Sequence, residues 1–428
     1  MEGGKPVKKI LLIAGFTLLT VLTFGFDFGG SLDDSTIYQY SNSSTFYHAD
    51  TLSLWLKTEL WEDTNLLVLG SYTYTTDNPW FFDLNYLKVE NKSASLLNYS
   101  FGRISASDFS GYIFNHKMDG ASITVNMPSF ILNANAGYTG FLFNTNSVVK
   151  MTTADRTGTS YGDFPQSFAS PRIVGGIQAF FPDLIFGQDL KTEVWAQLDM
   201  RNESDLTTGK KLDTQYYGFT LSGPLISSLY YDSFAYLESG KAHSGLGDDY
   251  TVLSFLGSAG LRYYMEEFLF SKISFRFLYS LGDADFTSSF TEGNTEGNAT
   301  VFVPISRKTL AMVFSPKLGN IFFTSLNYSL KPFSGMDTRV LQNIQLELTE
   351  VNFFRSTTGS ISAGEINPDS KSLYLGTEID GTINFRPFSD LGLSLSGGTF
   401  IPANGSGGAF LSTRKVEYLG RLGLSFSF

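Results

Sequence analysis

Residues 417–428 close the chain and read EYLGRLGLSFSF. In an extended strand, successive side chains point to opposite faces. One face of this segment therefore carries large apolar side chains, namely Tyr418, Leu422, Leu424, Phe426 and Phe428. An aromatic strand left exposed in water would aggregate. We therefore expect this strand to be paired at both edges, with its aromatic face in lipid.

The same period of two recurs through the rest of the chain. In residues 190–201 every even position is apolar or Thr, whereas the odd positions carry Trp195 and five polar or charged side chains. Residues 373–386 alternate in the same way, and residues 272–281 do so with the exception of Leu278. No comparable helical period follows residue 25. The pattern predicts an all-β chain whose strands have one apolar and one polar face.

The N-terminus has the layout of a secretory signal peptide. Lys5, Lys8 and Lys9 precede an apolar run over residues 10–24, and the small residues Thr23 and Gly25 follow at cleavage positions. The apolar run is shorter than the roughly 20 residues that a spanning helix needs, which argues against an N-terminal anchor. We predict a signal peptide over residues 1–25 and one domain over residues 26–428.

This plan of leader, alternating strands and terminal aromatic residue resembles that of bacterial outer-membrane β-barrel proteins, and it is porin-like. The resemblance implies a transmembrane antiparallel β-barrel in the bacterial cell outer membrane, with short periplasmic turns and long extracellular loops. It also implies outer-membrane lipid and the barrel assembly machinery as partners, with Phe428 as the assembly signal. Whether the barrel forms a homo-oligomer is left open.

The number of strands follows from turns and from parity. Counting candidate strands from Phe26 gives nineteen, but a single-chain bacterial barrel with both termini in the periplasm needs an even number. The conflict lies between Ser315 and Met336, where two Pro-containing turns flank a single strand. The opening segment, residues 26–37, is also weak because it contains three Asp residues. We expect 16 to 18 strands, with 18 favoured.

Composition excludes several classes of function. The chain has no Cys, so disulfides and thiolate chemistry are absent. Charged residues make up 17% of the chain, below the roughly 25% that is usual for soluble domains. The formal net charge is −11, whereas a nucleic-acid-binding surface needs clustered Lys and Arg. Nucleic acid is therefore not an expected partner.

The inward face of the predicted strands carries charges of both signs. A barrel of 16 to 18 strands is too wide for side chains to fill, so it leaves an aqueous lumen. Basic and acidic residues are balanced on this face, which predicts little intrinsic ion preference; alternatively, they pair across strands and stiffen the wall. The surplus of acidic residues in the loops predicts a weak preference for cations that is seen only at low salt. The lumen-lining candidates are Lys57, Glu59, Lys191, Glu193, Asp199, Arg201, Arg262, Lys272, Arg276, Glu378, Asp380, Arg386 and Arg421.

One loop is a candidate for narrowing the lumen. Residues 105–118 follow an early strand and contain Asp108, His116 and Lys117. In its placement this segment is similar to the loop of general porins that folds inward to constrict the pore. The same residues are ordinary in an outward loop, so both interpretations stand.

No motif for catalysis or for a cofactor is found. His243, Ser244, Asp248 and Asp249 lie close in sequence, but no nucleophile motif surrounds them. Residues 282–285 resemble the start of a calcium loop but lack the later ligands, including the terminal Glu. We therefore predict no catalytic residue, no metal and no cofactor, and we do not expect an enzyme.

The resulting functional prediction is a porin-type channel for passive diffusion of small hydrophilic solutes. One alternative is a substrate-specific transporter, either for sugars along inward aromatic residues or for hydrophobic compounds. The aromatic candidates are Trp55, Trp195, Tyr230 and Tyr236. A hydrophobic-compound transporter would need residues 26–50 as a plug. Another alternative is a surface adhesin barrel that binds through its long loops.

Overall fold

The computed structural model describes residues 26–77, 80–92, 96–157, 168–201, 211–243, 249–288 and 293–428. The predicted signal peptide lies outside this set. Among the described residues, no helix has the length and apolar character needed to cross a membrane.

The described chain is almost entirely β-structure. Two short helices occur in loops, α1 (Thr153–Thr157) and α2 (Arg339–Gln342). The strands are β1 (Asp27–Tyr40), β2 (Ser44–Trp61), β3 (Thr64–Thr75), β4 (Phe81–Asn91), β5 (Leu97–Ser107), β6 (Asn115–Asn126), β7 (Ile131–Tyr138), β8 (Arg172–Ile185), β9 (Gln188–Asp199), β10 (Lys211–Ile226), β11 (Leu229–His243), β12 (Tyr250–Met265), β13 (Ser271–Ser280), β14 (Ile321–Leu330), β15 (Ile344–Arg355), β16 (Tyr374–Phe388), β17 (Leu391–Pro402) and β18 (Glu417–Ser427).

The strands form one closed barrel. Each strand pairs antiparallel with the next, and β18 returns to pair with β1 from Ser31 opposite Ser427 to Tyr40 opposite Tyr418. The terminal segment is therefore paired at both edges, and no strand edge is left open. The predicted fold class, an antiparallel barrel with 18 strands favoured, is confirmed.

The two faces of the wall differ in the way that the alternation predicts. On β9, Val194 is 43% exposed on the outside, whereas its neighbour Trp195 is fully buried inside. On β16, Ile379 is 42% exposed on the outside. Such an apolar outer surface is stable in lipid and costly in water. The barrel fits the bacterial outer membrane.

Three details of the sequence interpretation need correction. Ser315 and Pro316 do not form a periplasmic turn, because they belong to the long loop before β14; this removes the nineteenth strand. Residues 26–50 do not form a plug, because they build β1 and the start of β2. Leu375, predicted to face lipid, is fully buried, because a bulge beside Gly376 (φ 143°) shifts the register.

The connections differ strongly between the two ends of the barrel. At one end they are tight turns, such as residues 186–187, 227–228 and 389–390. At the other end they include residues 139–171, 281–320 and 356–373. This asymmetry is typical of outer-membrane barrels, in which the short turns are periplasmic and the long loops extracellular.

Candidate functional site

Three long-end loops fold into the lumen instead of extending away from it. Loop A comprises residues 108–114 between β5 and β6. The described part of loop B comprises residues 139–157 and 168–171 between β7 and β8, and that of loop C comprises residues 281–288 and 293–320 between β13 and β14. Each contributes side chains to the buried core, for example Phe114, Met151 and Phe302. The core of this protein thus lies inside the barrel, between the loops and the wall.

Loop A is held by two carboxylates. Asp108 accepts hydrogen bonds from the backbone N–H groups of Ile113 and Phe114 at 2.9 and 2.8 Å, which closes the loop on itself. The backbone N–H of Phe109 donates to Glu193 on β9 at 3.0 Å. Loop A is therefore fixed against the wall within the lumen.

The other two residues assigned to a constriction loop are not in it. His116 and Lys117 belong to β6, because β5 and β6 remain paired up to Ser107 and Asn115. The Lys117 ammonium forms an ion pair with the carboxylate of Asp83 on β4 at 3.0 Å, so its charge is compensated. Among the three predicted residues, only Asp108 lies in the inward loop.

Loop B is held by a buried network of charges. The Arg172 guanidinium contacts Asp155 at 2.9 Å and Asp199 at 3.0 Å, and all three side chains are fully buried. Arg201 contacts the same two carboxylates and donates to the hydroxyl of Thr152 at 3.0 Å. Burial opposes ionisation of Asp155, but Arg172 and Arg201 outweigh it and hold its pKa below the ordinary value.

The third inward segment, residues 301–318 of loop C, is called the strap below. Near its start, the backbone N–H of Val303 donates to Glu238 on β11 at 2.9 Å. Near its end, the N–H groups of Val313 and Phe314 both donate to Glu378 on β16 at 2.7 Å. Because β11 and β16 are five strands apart in the barrel, the strap crosses the lumen.

The strap also joins the other inward loops. The backbone N–H of Ser306 donates to the carbonyl of Ile113 in loop A at 3.0 Å, and the N–H of Arg307 donates to the carbonyl of Val148 in loop B at 2.8 Å. At its far end, the ring of Phe314 stacks on Phe400 of β17 with ring centroids 4.2 Å apart. The three loops therefore form one assembly that narrows the lumen.

Three cavities lie along the barrel among the residues that the structure describes. The outer cavity, of about 400 Å³, lies beside the strap and is lined by Lys150, Arg307, Lys317, Arg414 and Glu417. The middle cavity, of about 440 Å³, has Arg276, Asp380, Thr382 and Arg421 in its lining. The cavity toward the short turns, of about 550 Å³, includes Lys331, Arg386 and Ser425. The strap residues 309–313 separate the outer and middle cavities.

Anchoring the loops removes negative charge from the solute-accessible surface. Glu193, Glu238 and Glu378 are at most 4% exposed, because the backbone N–H groups of the loops cover them. Four lumen-lining assignments are therefore corrected: the residues point inward but are covered by the loops or by the buried charge network, namely Glu193, Asp199, Arg201 and Glu378.

Two basic residues of the loops that line the outer cavity have no carboxylate partner in the described part of the chain. Lys150 and Arg307 form no ion pair with any residue that the structure describes. The Lys308 ammonium lies 3.7 Å from the centre of the Tyr112 ring. Burial within the barrel lowers the pKa of Lys308, an effect that Asp108 opposes and Arg276 reinforces.

The strand pairing places the other lumen-lining candidates on the inward face. On β12 and β13, the guanidinium groups of Arg262 and Arg276 lie 3.5 and 2.8 Å from Asp232, as the stiffening alternative anticipates. The Lys191 ammonium lies 5.3 Å from the ring centre of Phe109 in loop A. The remaining members of this set are Lys57, Glu59, Lys272, Arg386 and Arg421.

Three other groups of residues named in the sequence analysis are placed as follows. Trp195 and Tyr236 are buried beneath loop A, so they offer no aromatic track to a sugar. The Asp283 and Asp285 carboxylates accept hydrogen bonds from the backbone of their own loop. Of the polar group near His243, Ser244 and Asp248 lie outside the described residues, and the His243 imidazole contacts Asp249 at 2.9 Å.

Sequence reasoning missed the strap and its cations. The alternation of strands says nothing about loops, and the basic residues of the loops have no motif. One signal was present: residues 301–305 read VFVPI and residues 310–314 read LAMVF, which are two apolar runs within one loop. In the first run, Val301, Phe302, Val303 and Ile305 are buried, whereas Pro304 is not.

This chain is similar to known proteins in structure but not in sequence. No protein-family model matches the sequence, and no curated protein matches it significantly. Several solved structures are similar to this chain. Pseudomonas aeruginosa OccK8 (OprE) has a TM-score of 0.60 at 12% identity, covering 94% of this chain and 98% of that one. P. aeruginosa OccK11 (OpdR) has a TM-score of 0.59 at 11% identity, covering 94% and 96%. Acinetobacter baumannii OccAB3 has a TM-score of 0.55 at 10% identity, covering 94% and 99%. At these identities the likeness establishes the fold, which is an 18-strand porin-like barrel over nearly the whole chain.

Proposed function

We propose that the protein is an outer-membrane channel for passive diffusion of small hydrophilic solutes, and that its narrow part favours anions. The observation that supports this most strongly is the division of charge at the strap. On the wall, Glu193, Glu238 and Glu378 accept hydrogen bonds from loop backbone. The lining of the outer cavity includes four basic residues, of which Arg414 is paired with the one acidic residue, Glu417. A balance of charge counted along the strands therefore does not describe the surface that a solute meets.

The mechanism is electrostatic and steric. A positive lining in a space with low-dielectric walls raises the local concentration of anions and lowers the barrier to their entry. The strap limits the cross-section, so only small solutes pass between the outer and middle cavities. Transport needs no catalytic group, and we assign none.

Two further roles concern assembly. We propose that Phe428 is recognised by the barrel assembly machinery, since its exposed ring ends the lipid-facing row of β18 and its backbone exchanges two hydrogen bonds of 3.0 Å with Gly30. A homo-oligomer remains part of the proposal, to be tested by the mass of the detergent-solubilised protein.

The channel is tested with purified protein in planar lipid bilayers. We expect discrete conductance steps. In a KCl gradient at low salt, the reversal potential should have the sign that indicates selectivity for chloride over potassium. This potential should shrink as salt rises, because the Debye length is only about 10 Å at 0.1 M salt. The double variant Lys150→Gln/Arg307→Gln should move the reversal potential toward zero.

A matched control is Lys415→Gln, which removes an exposed cation from the loop between β17 and β18 and should leave selectivity unchanged. Absence of conductance would overturn the channel and favour the adhesin or the hydrophobic-compound transporter. A cation-selective wild-type channel would keep the pore but refute the role of the strap.

A further inference from the structure

A group of titratable side chains lies on the outside of the barrel, where the wall should be apolar. Asp34 on β1 stands opposite Asp50 on β2, and His48 is two residues from Asp50. Directly opposed residues in an antiparallel pair share a face. The neighbours of this group on the same face are Leu32 and Leu52, which are 41% and 37% exposed on the lipid side. Asp34, His48 and Asp50 therefore face outward.

One side of this group lies at the end of β3. The backbone N–H of Thr76 donates to the carbonyl of His48 at 3.0 Å, directly beyond the last residue of β3. The rings of His48 and Tyr74 are 6.3 Å apart, and Tyr74 lies 5.0 Å from the exposed Trp80. Exposed aromatic residues of this kind mark the level of lipid headgroups in barrels. The β2 side of the group thus lies beside exposed aromatic rings at the long-loop end of β3, and the side chains of Asp34, His48 and Asp50 are 29%, 30% and 43% exposed.

The chemistry of the group is that of a metal site. One ligand atom from each of Asp34, His48 and Asp50 lies within 4.8 Å of the other two. The imidazole Nε2 is 3.1 Å from Asp50, and Nδ1 is 3.6 Å from Asp34; a single ion would bind only one of these two nitrogens, and the other would keep a hydrogen-bond partner. In the part of the chain that the structure describes, no lysine or arginine forms an ion pair with either carboxylate. Two carboxylates beside one imidazole on a lipid-facing wall are costly unless a cation offsets them.

We propose that Asp34, His48 and Asp50 form a surface site for one divalent cation of the Zn²⁺ type. An imidazole among the ligands favours Zn²⁺ over Mg²⁺ or Ca²⁺, which prefer oxygen ligands alone. The three protein ligands leave an open position facing the interface. Water or the phosphate of a lipid headgroup completes the coordination there.

A catalytic interpretation of the same residues is less well supported. The Thr36 hydroxyl is 2.9 Å from Nδ1 of His48, and Nε2 contacts Asp50, so hydroxyl, imidazole and carboxylate are in series. Such a series needs backbone N–H donors for an oxyanion. Here β1 is paired with both β18 and β2 over these residues, so its N–H groups are used in the sheet. The metal site uses both carboxylates and needs no such donor.

The test is calorimetric titration of the chelator-treated, detergent-solubilised full chain with ZnCl₂. We expect one equivalent to bind, and His48→Gln or Asp50→Asn to weaken its affinity by about tenfold or more. His243→Gln is the matched control, because His243 also contacts a carboxylate but belongs to no such three-residue group; it should bind Zn²⁺ like the wild type.

Heat-dependent mobility in SDS establishes that each variant is a folded barrel. Equal Zn²⁺ affinity in folded His48→Gln and wild type would overturn the site. Loss of Zn²⁺ binding in His243→Gln would also overturn it. Metal-independent hydrolysis of a lipid ester that Thr36→Val abolishes would also overturn it, in favour of the nucleophile. None of these outcomes depends on conductance, so the proposal and the channel function can fail separately.

Discussion

The anchor of the strap on β16 offers the sharpest test of how the lumen is narrowed. In Glu378→Ala, the backbone N–H groups of Val313 and Phe314 lose the acceptor that each reaches at 2.7 Å. Leaving a buried N–H without a partner costs about 1–3 kcal/mol, so the bound position of this end of the strap loses about 2–6 kcal/mol. Even the lower figure is about a 30-fold shift toward the released strap, at about 1.4 kcal/mol per tenfold change.

Single-channel recording in planar bilayers measures the consequence. We expect Glu378→Ala to give larger and noisier conductance steps than wild type, because the released strap joins the outer and middle cavities. Thr382→Ala is the control, since Thr382 lines the middle cavity on the same strand and bonds to Ser396 instead of to the strap. Identical conductance in folded Glu378→Ala and wild type would refute the anchoring role of the two hydrogen bonds.

Three further predictions concern the wall, the seam and a buried charge. Ile379→Arg places a charge on the lipid face and should destabilise the barrel by about 2–4 kcal/mol, whereas Thr382→Arg should not; equal urea midpoints would contradict the assignment of faces. Deleting Phe428 removes two seam hydrogen bonds and should reduce folded barrel in the outer membrane while leaving export intact, and normal assembly would argue against the signal. The pKa of Asp155 is lower in the folded protein than in the unfolded chain. The ionised carboxylate therefore stabilises the fold fully at a pH above the unfolded-state pKa of about 3.9, and this stabilisation is lost as the pH falls through the folded-state pKa. Asp155→Asn should remove that part of the acid dependence in urea titrations, and an unchanged profile would show that the carboxylate is not the source.

Local patterns predicted the wall well because a barrel wall is a local structure. Alternation with a period of two reports directly which side chains meet lipid, and it placed Val194 and Trp195 on the correct faces. It failed at Leu375, where a bulge beside Gly376 breaks the period. A single-residue bulge leaves little trace in sequence, since Gly also occurs in regular strands.

The interior was not predictable because its contacts are distant in sequence. Val303 meets Glu238 across 65 residues, and Val313 meets Glu378 across 65 residues. Such pairings depend on closure of the whole barrel and have no local signature. For the same reason, the balance of inward charges does not describe the pore lining: Glu193 and Glu378 counted as solvent-facing, while loop backbone covers them.

The central claim is that the strap lies in the path of the solute, and cysteine accessibility tests it most directly because the chain has no cysteine of its own. Lys308→Cys places a thiol on the strap beside Tyr112, and Lys415→Cys places one on an outer loop. A negatively charged methanethiosulfonate reagent should sharply reduce the current through Lys308→Cys channels while leaving wild-type and Lys415→Cys channels unchanged. Complete modification of Lys308→Cys, shown by mass spectrometry, with no change in current would contradict the account.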